Sequence, residues 1–163
     1  MGLAAVCGVI CGAVSLFSDS GAYELAGFGD SFLALFGFRA VYGGAFLLAE
    51  YLLGFFAFGE WLVWLAPLLC GMGSGAALAA QAVSGTTYGA LLLVPLAVST
   101  AAAVFGANAS GELSALLLRL AFGDSKSVIM TSSAAKSHTL KFLSYFAAVC
   151  AAALFEAAVR ISV

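Results

Sequence analysis

The chain has 163 residues, of which 64% are apolar and only 9% charged, with a net charge of -2 and a mean hydropathy of +1.13. A water-soluble domain carries about 25% charged residues, so these numbers exclude a soluble catalytic domain. With no basic aromatic surface they also give nucleic-acid binding no support. The fold class they indicate is an all-α polytopic integral membrane protein.

A helix needs about 20 apolar residues to cross the hydrocarbon core. Five segments approach that length: residues 3–17, 40–58, 61–82, 90–107 and 142–159. The first is short. It spans only where the bilayer thins or further residues precede it, and Ser18-Asp19-Ser20-Gly21 ends it. Its length also suits a signal-peptide core with Ser20-Gly21-Ala22 as a cleavage site, but no positive stretch comes before it. An external segment, 18–38, carries Asp19, Glu24 and Asp30, with Arg39 at its edge.

Spans two and three are separated only by Gly59-Glu60, which predicts a tight antiparallel hairpin with glycine adopting the turn geometry. Glu60 reads as a solvated residue at a helix start. Span four contains Val94-Pro95, and Pro95 frees a carbonyl that neighbouring helices must satisfy. Residues 108–120 continue its pattern, either as the same helix leaving the membrane or as a second one on its surface. Arg119, Lys126, Lys136 and Lys141 all lie between spans four and five, in or at the edge of a loop of about 120–141. Placing that loop in the cytoplasm makes the N-terminus cytoplasmic and the C-terminus extracytoplasmic; the inverted orientation is the alternative. These basic residues would also attract anionic lipid.

Few residues suggest chemistry. Glu50 is placed near the middle of span two, where a carboxylate costs about 2.5–3.5 kcal/mol. It is either a proton or cation relay, or a buried group that is protonated or hydrogen-bonded to a neighbour such as Gln81, Ser99 or Thr100. Glu156, near the end of span five, has Arg160 four residues on, a spacing suited to an ion pair; the alternative is a contact with the extracytoplasmic part of a partner. His138 reads as a solvated loop histidine. Cys7, Cys11, Cys70 and Cys150 lie inside spans without any metal-ligand spacing, so they read as packing groups. No metal, cofactor or catalytic set is expected, and the chain reads as a non-enzyme.

The 19 glycines are more informative. Gly8-x3-Gly12 in span one and Gly71-x3-Gly75 in span three are small-residue pairs that let helices approach closely. They serve either packing within the bundle or a face for another membrane protein; self-association is open.

The order of these motifs resembles the stage II sporulation protein M family of endospore-forming bacteria. The resemblance rests on Gly8-Val9-Ile10-Cys11-Gly12-Ala13, Leu53-Gly54-x4-Gly59, Gly71-x3-Gly75, Val94-Pro95 and Phe155-Glu156-Ala157-Ala158-Val159. It implies a membrane scaffold of engulfment, sited in the septal, mother-cell membrane. Its implied partners are the cell-wall enzymes stage II sporulation proteins P and D, which would do the peptidoglycan cutting. The alternative, drawn from the residues alone, is a small permease or transporter subunit with Glu50 as the coupling carboxylate.

Overall fold

A computed structural model describes residues 2–18, 31–84, 89–122 and 127–162. Among these residues the protein is all helical, with no strand. The elements are α1 (Gly2–Ser18), α2 (Phe32–Leu53), α3 (Gly59–Val63), α4 (Leu65–Ser84), α5 (Gly89–Ala121) and α6 (Ser127–Ile161). Helix α3 runs into α4 with a break at Trp64, so the two form one crossing. Four crossings are long and apolar enough to span a membrane: Phe32–Leu53, Gly59–Ala79, Ala90–Ala121 and Ser133–Ile161. The chain is therefore an all-α, multi-pass membrane protein. Helix α1 is a shorter apolar helix beside them.

Packing follows small residues. Helix α1 lies against α4, with each glycine pair facing the other's backbone. Gly8 approaches Leu68 and Met72, Gly12 approaches Met72, Gly71 approaches Ala5, and Gly75 approaches Val9. Contacts that rise together along both chains make α1 and α4 parallel. A methyl group on Gly12 would sit 2.8 Å from Met72 Cα, and one on Gly75 would sit 2.8 Å from the Val9 carbonyl carbon. No side chain fits there. The outward face of α1 carries Leu3, Val6, Cys7, Ile10 and Cys11, all exposed. The two cysteines thus face the bilayer instead of filling the core.

Helix α5 is central and touches every other helix. It pairs antiparallel with α6, and α6 pairs antiparallel with α2. The core between them is Leu47, Ala102, Ala109, Phe142 and Val149, with Tyr51 and Tyr145 against it. Pro95 sits buried inside α5 without ending it, consistent with its reading as an internal proline.

Several boundaries differ from the sequence-based spans. Helix α2 begins at Phe32 and not at residue 40, because Ser31 caps it by accepting a 3.2 Å hydrogen bond from the Ala34 amide. Of the expected external segment, residues 32–38 are therefore helix, and residues 19–30 lie outside the described residues. The turn falls at Gly54–Phe58, and Gly59 already begins α3. Gly59 therefore does not supply the turn geometry expected of it. Gly54 is in the right-handed helical region (φ -61°), and Gly59 is needed because a Cβ would strike the Leu53 carbonyl. Residues 108–120 are a continuation of α5, and most of the expected 120–141 loop is helix α6.

With 33 and 35 residues, α5 and α6 are each about 50 Å long at roughly 1.5 Å per residue. They stand out beyond the α2–α3 turn as a hairpin. At the base of this hairpin Phe55, Phe56, Phe58, Trp61 and Trp64 are exposed around the turn. Such rings favour the membrane–water boundary. Trp61 and Trp64 are the two tryptophans of the chain, so their intrinsic fluorescence reports this turn alone. In vesicles, lipids brominated near the headgroup should quench that emission more strongly than lipids brominated near the chain terminus.

Candidate functional site

The helix face Leu47, Glu50, Tyr51 and Gly54 turns the end of α2 toward α5 and α6. Glu50 is wholly buried there, three residues from the end of α2 and not at its middle. Its carboxylate rests against Gly106 of α5, where any side chain would collide with it; a Cβ would also meet Leu47 at 3.2 Å and Phe142 at 3.3 Å. Ser110, one turn further on, donates a 2.6 Å hydrogen bond to the Glu50 carbonyl, which also accepts from the Gly54 amide at 3.1 Å. The backbone of Glu50 is thus fixed twice.

Its side chain is not fixed in this way. Neither carboxylate oxygen has a hydrogen-bond partner among the described residues. Of the expected partners, Thr100 is engaged elsewhere: its hydroxyl donates to the Leu96 carbonyl at 2.8 Å and lies 3.0 Å from the Ser74 hydroxyl. Ser99 lines the cavity between α2 and α4 and makes no hydrogen bond to the Glu50 carboxylate. The Gln81 side chain lies outside the described residues.

One turn along the bundle sits His138. The expectation of a solvated loop residue is overturned: His138 is on α6 and only 3% exposed. Its ring stacks on Tyr51, with centroids 5.3 Å apart and planes 11° from parallel, and touches Phe142 and Phe55 at 4.7 and 5.6 Å. Nε2 lies 3.4 Å from the Tyr51 carbonyl, and Nδ1 has no partner among the described residues. Gly54 makes room for this ring, since a Cβ there would lie 2.9 Å from Nε2 and 3.2 Å from Ser110 Cα. Three aromatic neighbours, not the polar residues beside it in sequence, set its environment.

A third tier ties down the α2–α3 turn. Ser114 donates to the Phe56 carbonyl at 2.7 Å and accepts from the Glu60 amide at 3.0 Å. Gly106, Ser110 and Ser114 thus form one stripe of α5, four residues apart. Removing the buried Ser114 hydroxyl strands two backbone groups, at a cost of about 1–3 kcal/mol. Ser114→Ala should therefore speed amide hydrogen exchange at residues 56–60 while leaving α1 and α4 unchanged.

The second charged cluster lies at the opposite end of α2. Glu156 Oε1 accepts from Arg160 at 2.9 Å, as its i,i+4 spacing suggests, and also from Arg39 of α2 at 2.8 Å. The Arg39 pairing crosses 117 residues and clamps α2 to α6. Sequence reasoning found Glu156 and Arg160 but missed Arg39, Gly106, Ser110, Ser114 and His138. The serine stripe was visible as small residues four apart; the other links exist only once the helices are packed.

Among the described residues, no three His, Cys, Asp or Glu side chains gather as metal ligands. Comparison with protein-family models, curated proteins and solved structures finds no match.

Proposed function

We propose that this protein is a membrane scaffold of endospore formation that recruits peptidoglycan-degrading partners to the septal, engulfing mother-cell membrane. The observation that carries this reading is where the motifs of the family-like series fall. Gly8, Gly12, Gly71 and Gly75 interlock α1 with α4, Gly54 and Gly59 shape the turn beside His138, and Glu156 clamps α2 to α6. The residues behind the resemblance are thus the contact residues of this bundle. The glycine pairs are used inside the molecule, which leaves the α5–α6 hairpin as the described surface for partners. In this reading the hairpin with Arg119, Lys136 and Lys141 faces the cytoplasm, so the N-terminus is cytoplasmic and the C-terminus external. The protein itself catalyses nothing.

The test is affinity capture from engulfing cells in mild detergent, with deletion of the gene in parallel. The scaffold reading expects wall hydrolases resembling stage II sporulation proteins P and D to co-purify, and engulfment to stall on deletion. Normal engulfment with no hydrolase captured would end it.

One observation favours a second reading, a small permease or transporter subunit. Glu50 and His138 are both buried, each with a polar atom that has no partner among the described residues. A proton or cation relay would use such a pair. Glu50→Gln separates the two readings. A scaffold should keep its captured partners within about twofold and stay folded, because the change removes no hydrogen bond to the side chain; a transporter should lose its flux.

A further inference from the structure

Helices α2 and α4 barely meet, and the space between them is a cavity of about 420 Å³ with α5 and α6 as its back wall. Small residues hollow it out: Gly43 on α2, Gly73 and Ala77 on α4, and Ala103 on α5. The remaining wall is mainly apolar, and the hydroxyl of Ser74 is already engaged with the Cys70 carbonyl and Thr100 at 3.0 Å each. A cavity of this lining offers water few partners, while its volume falls in the range of about 300–1,000 Å³ typical of small-molecule sites. The apolar molecules abundant around a membrane helix are lipid chains.

The mouth of the cavity decides which lipid. Arg39 and Glu156 line it. Both Arg39 and Arg160 converge on the single oxygen Glu156 Oε1, so among the described residues two guanidinium groups share one carboxylate, a surplus of one positive charge. Both arginines are partly exposed, at 23% and 32% of the side chain, and each guanidinium carries five donors, more than one oxygen can accept. A phosphate diester has the charge and the acceptors to complete the set.

We propose that this cavity seats an acyl chain of an anionic glycerophospholipid whose phosphate is held by Arg39 and Arg160. The proposal is independent of the scaffold reading. Its occupant follows from charge complementarity at the mouth and from the apolar interior behind it.

The full chain, delipidated in a neutral detergent, is titrated with dioleoylphosphatidylglycerol or dioleoylphosphatidylcholine, and retained lipid is counted by native mass spectrometry. The anionic lipid should bind about fivefold tighter, the worth of one surplus basic charge near a membrane surface. Arg160→Gln should erase that preference while the Arg39–Glu156 pair keeps α2 on α6. Gly73→Leu should abolish retention of both lipids. Among the described residues a Cβ at Gly73 meets only the Tyr42 hydroxyl, at 3.6 Å, so the larger side chain enters the cavity without striking backbone. Ala77→Leu is the second occluding variant, should the first fail to fold by circular dichroism. Equal binding of the two lipids to the unmodified protein would overturn the proposal. So would a preference that survives Arg160→Gln, which would place the lipid at the basic α5–α6 end, or retention unchanged by the occluding variants.

Discussion

Replacing Gly12 by leucine is expected to be the most damaging single change in this protein. A Cβ at this position would already lie 2.8 Å from Met72 Cα, so a full side chain must push the α1 and α4 backbones apart. Overpacking typically costs about 1–3 kcal/mol, and here no flexible side chain can give way, so about 3 kcal/mol is expected. Thermal unfolding in detergent, followed by circular dichroism, should show a large drop in midpoint. Gly37→Leu is the control: no described residue lies within 4 Å of a Cβ at Gly37, and a change under about 0.5 kcal/mol is expected. The pair also separates two uses of the glycine face. A face reserved for another protein would lose that partner in Gly12→Leu with the midpoint unchanged.

The second large effect is expected at Glu156. In Glu156→Ala, Arg39 and Arg160 lose the carboxylate they share. Breaking a buried pair costs about 3–5 kcal/mol, and the partial exposure of both arginines lowers the expected loss to about 2–3 kcal/mol. Arg160→Ala alone should cost less than about 1 kcal/mol, because Arg39 still holds Glu156. The test is a double-mutant cycle on Arg39 and Glu156. Arg39→Gln with Glu156→Gln should be more stable than the sum of the two single losses implies. Additive losses would mean that the clamp between α2 and α6 carries no coupling energy.

These two sites also show how far the sequence alone could be read. The long apolar crossings and the two glycine pairs follow from hydropathy and spacing, because both are local properties. That the pairs meet each other is not local, since it depends on α1 and α4 lying side by side. The start of α2 was misplaced for a related reason. Arg39 looks like the edge of a loop until Glu156, 117 residues away, is seen to hold it inside the bundle. His138 is the clearest case. Its sequence neighbours are serine, threonine and lysine, whereas its spatial neighbours are Tyr51, Phe55 and Phe142. The tight hairpin at Gly59-Glu60 was displaced because the turn is held by Ser114 on a distant helix and not by glycine conformation.

Glu50 is the residue on which the functional readings part. A carboxylate fixed by its backbone, wedged against Gly106 and one turn from a buried histidine, serves equally as a fixed point of a bundle or as a relay. On the scaffold reading proposed above, Glu50 is a fixed point.

The most direct test is ion movement. The purified full chain is reconstituted into vesicles loaded with a pH-sensitive dye, and a proton or cation gradient is imposed. A scaffold predicts dye traces that match protein-free vesicles and that are the same for the unmodified chain and Glu50→Gln. A flux carried by the unmodified chain and lost in Glu50→Gln would contradict the scaffold and establish Glu50 as a coupling carboxylate.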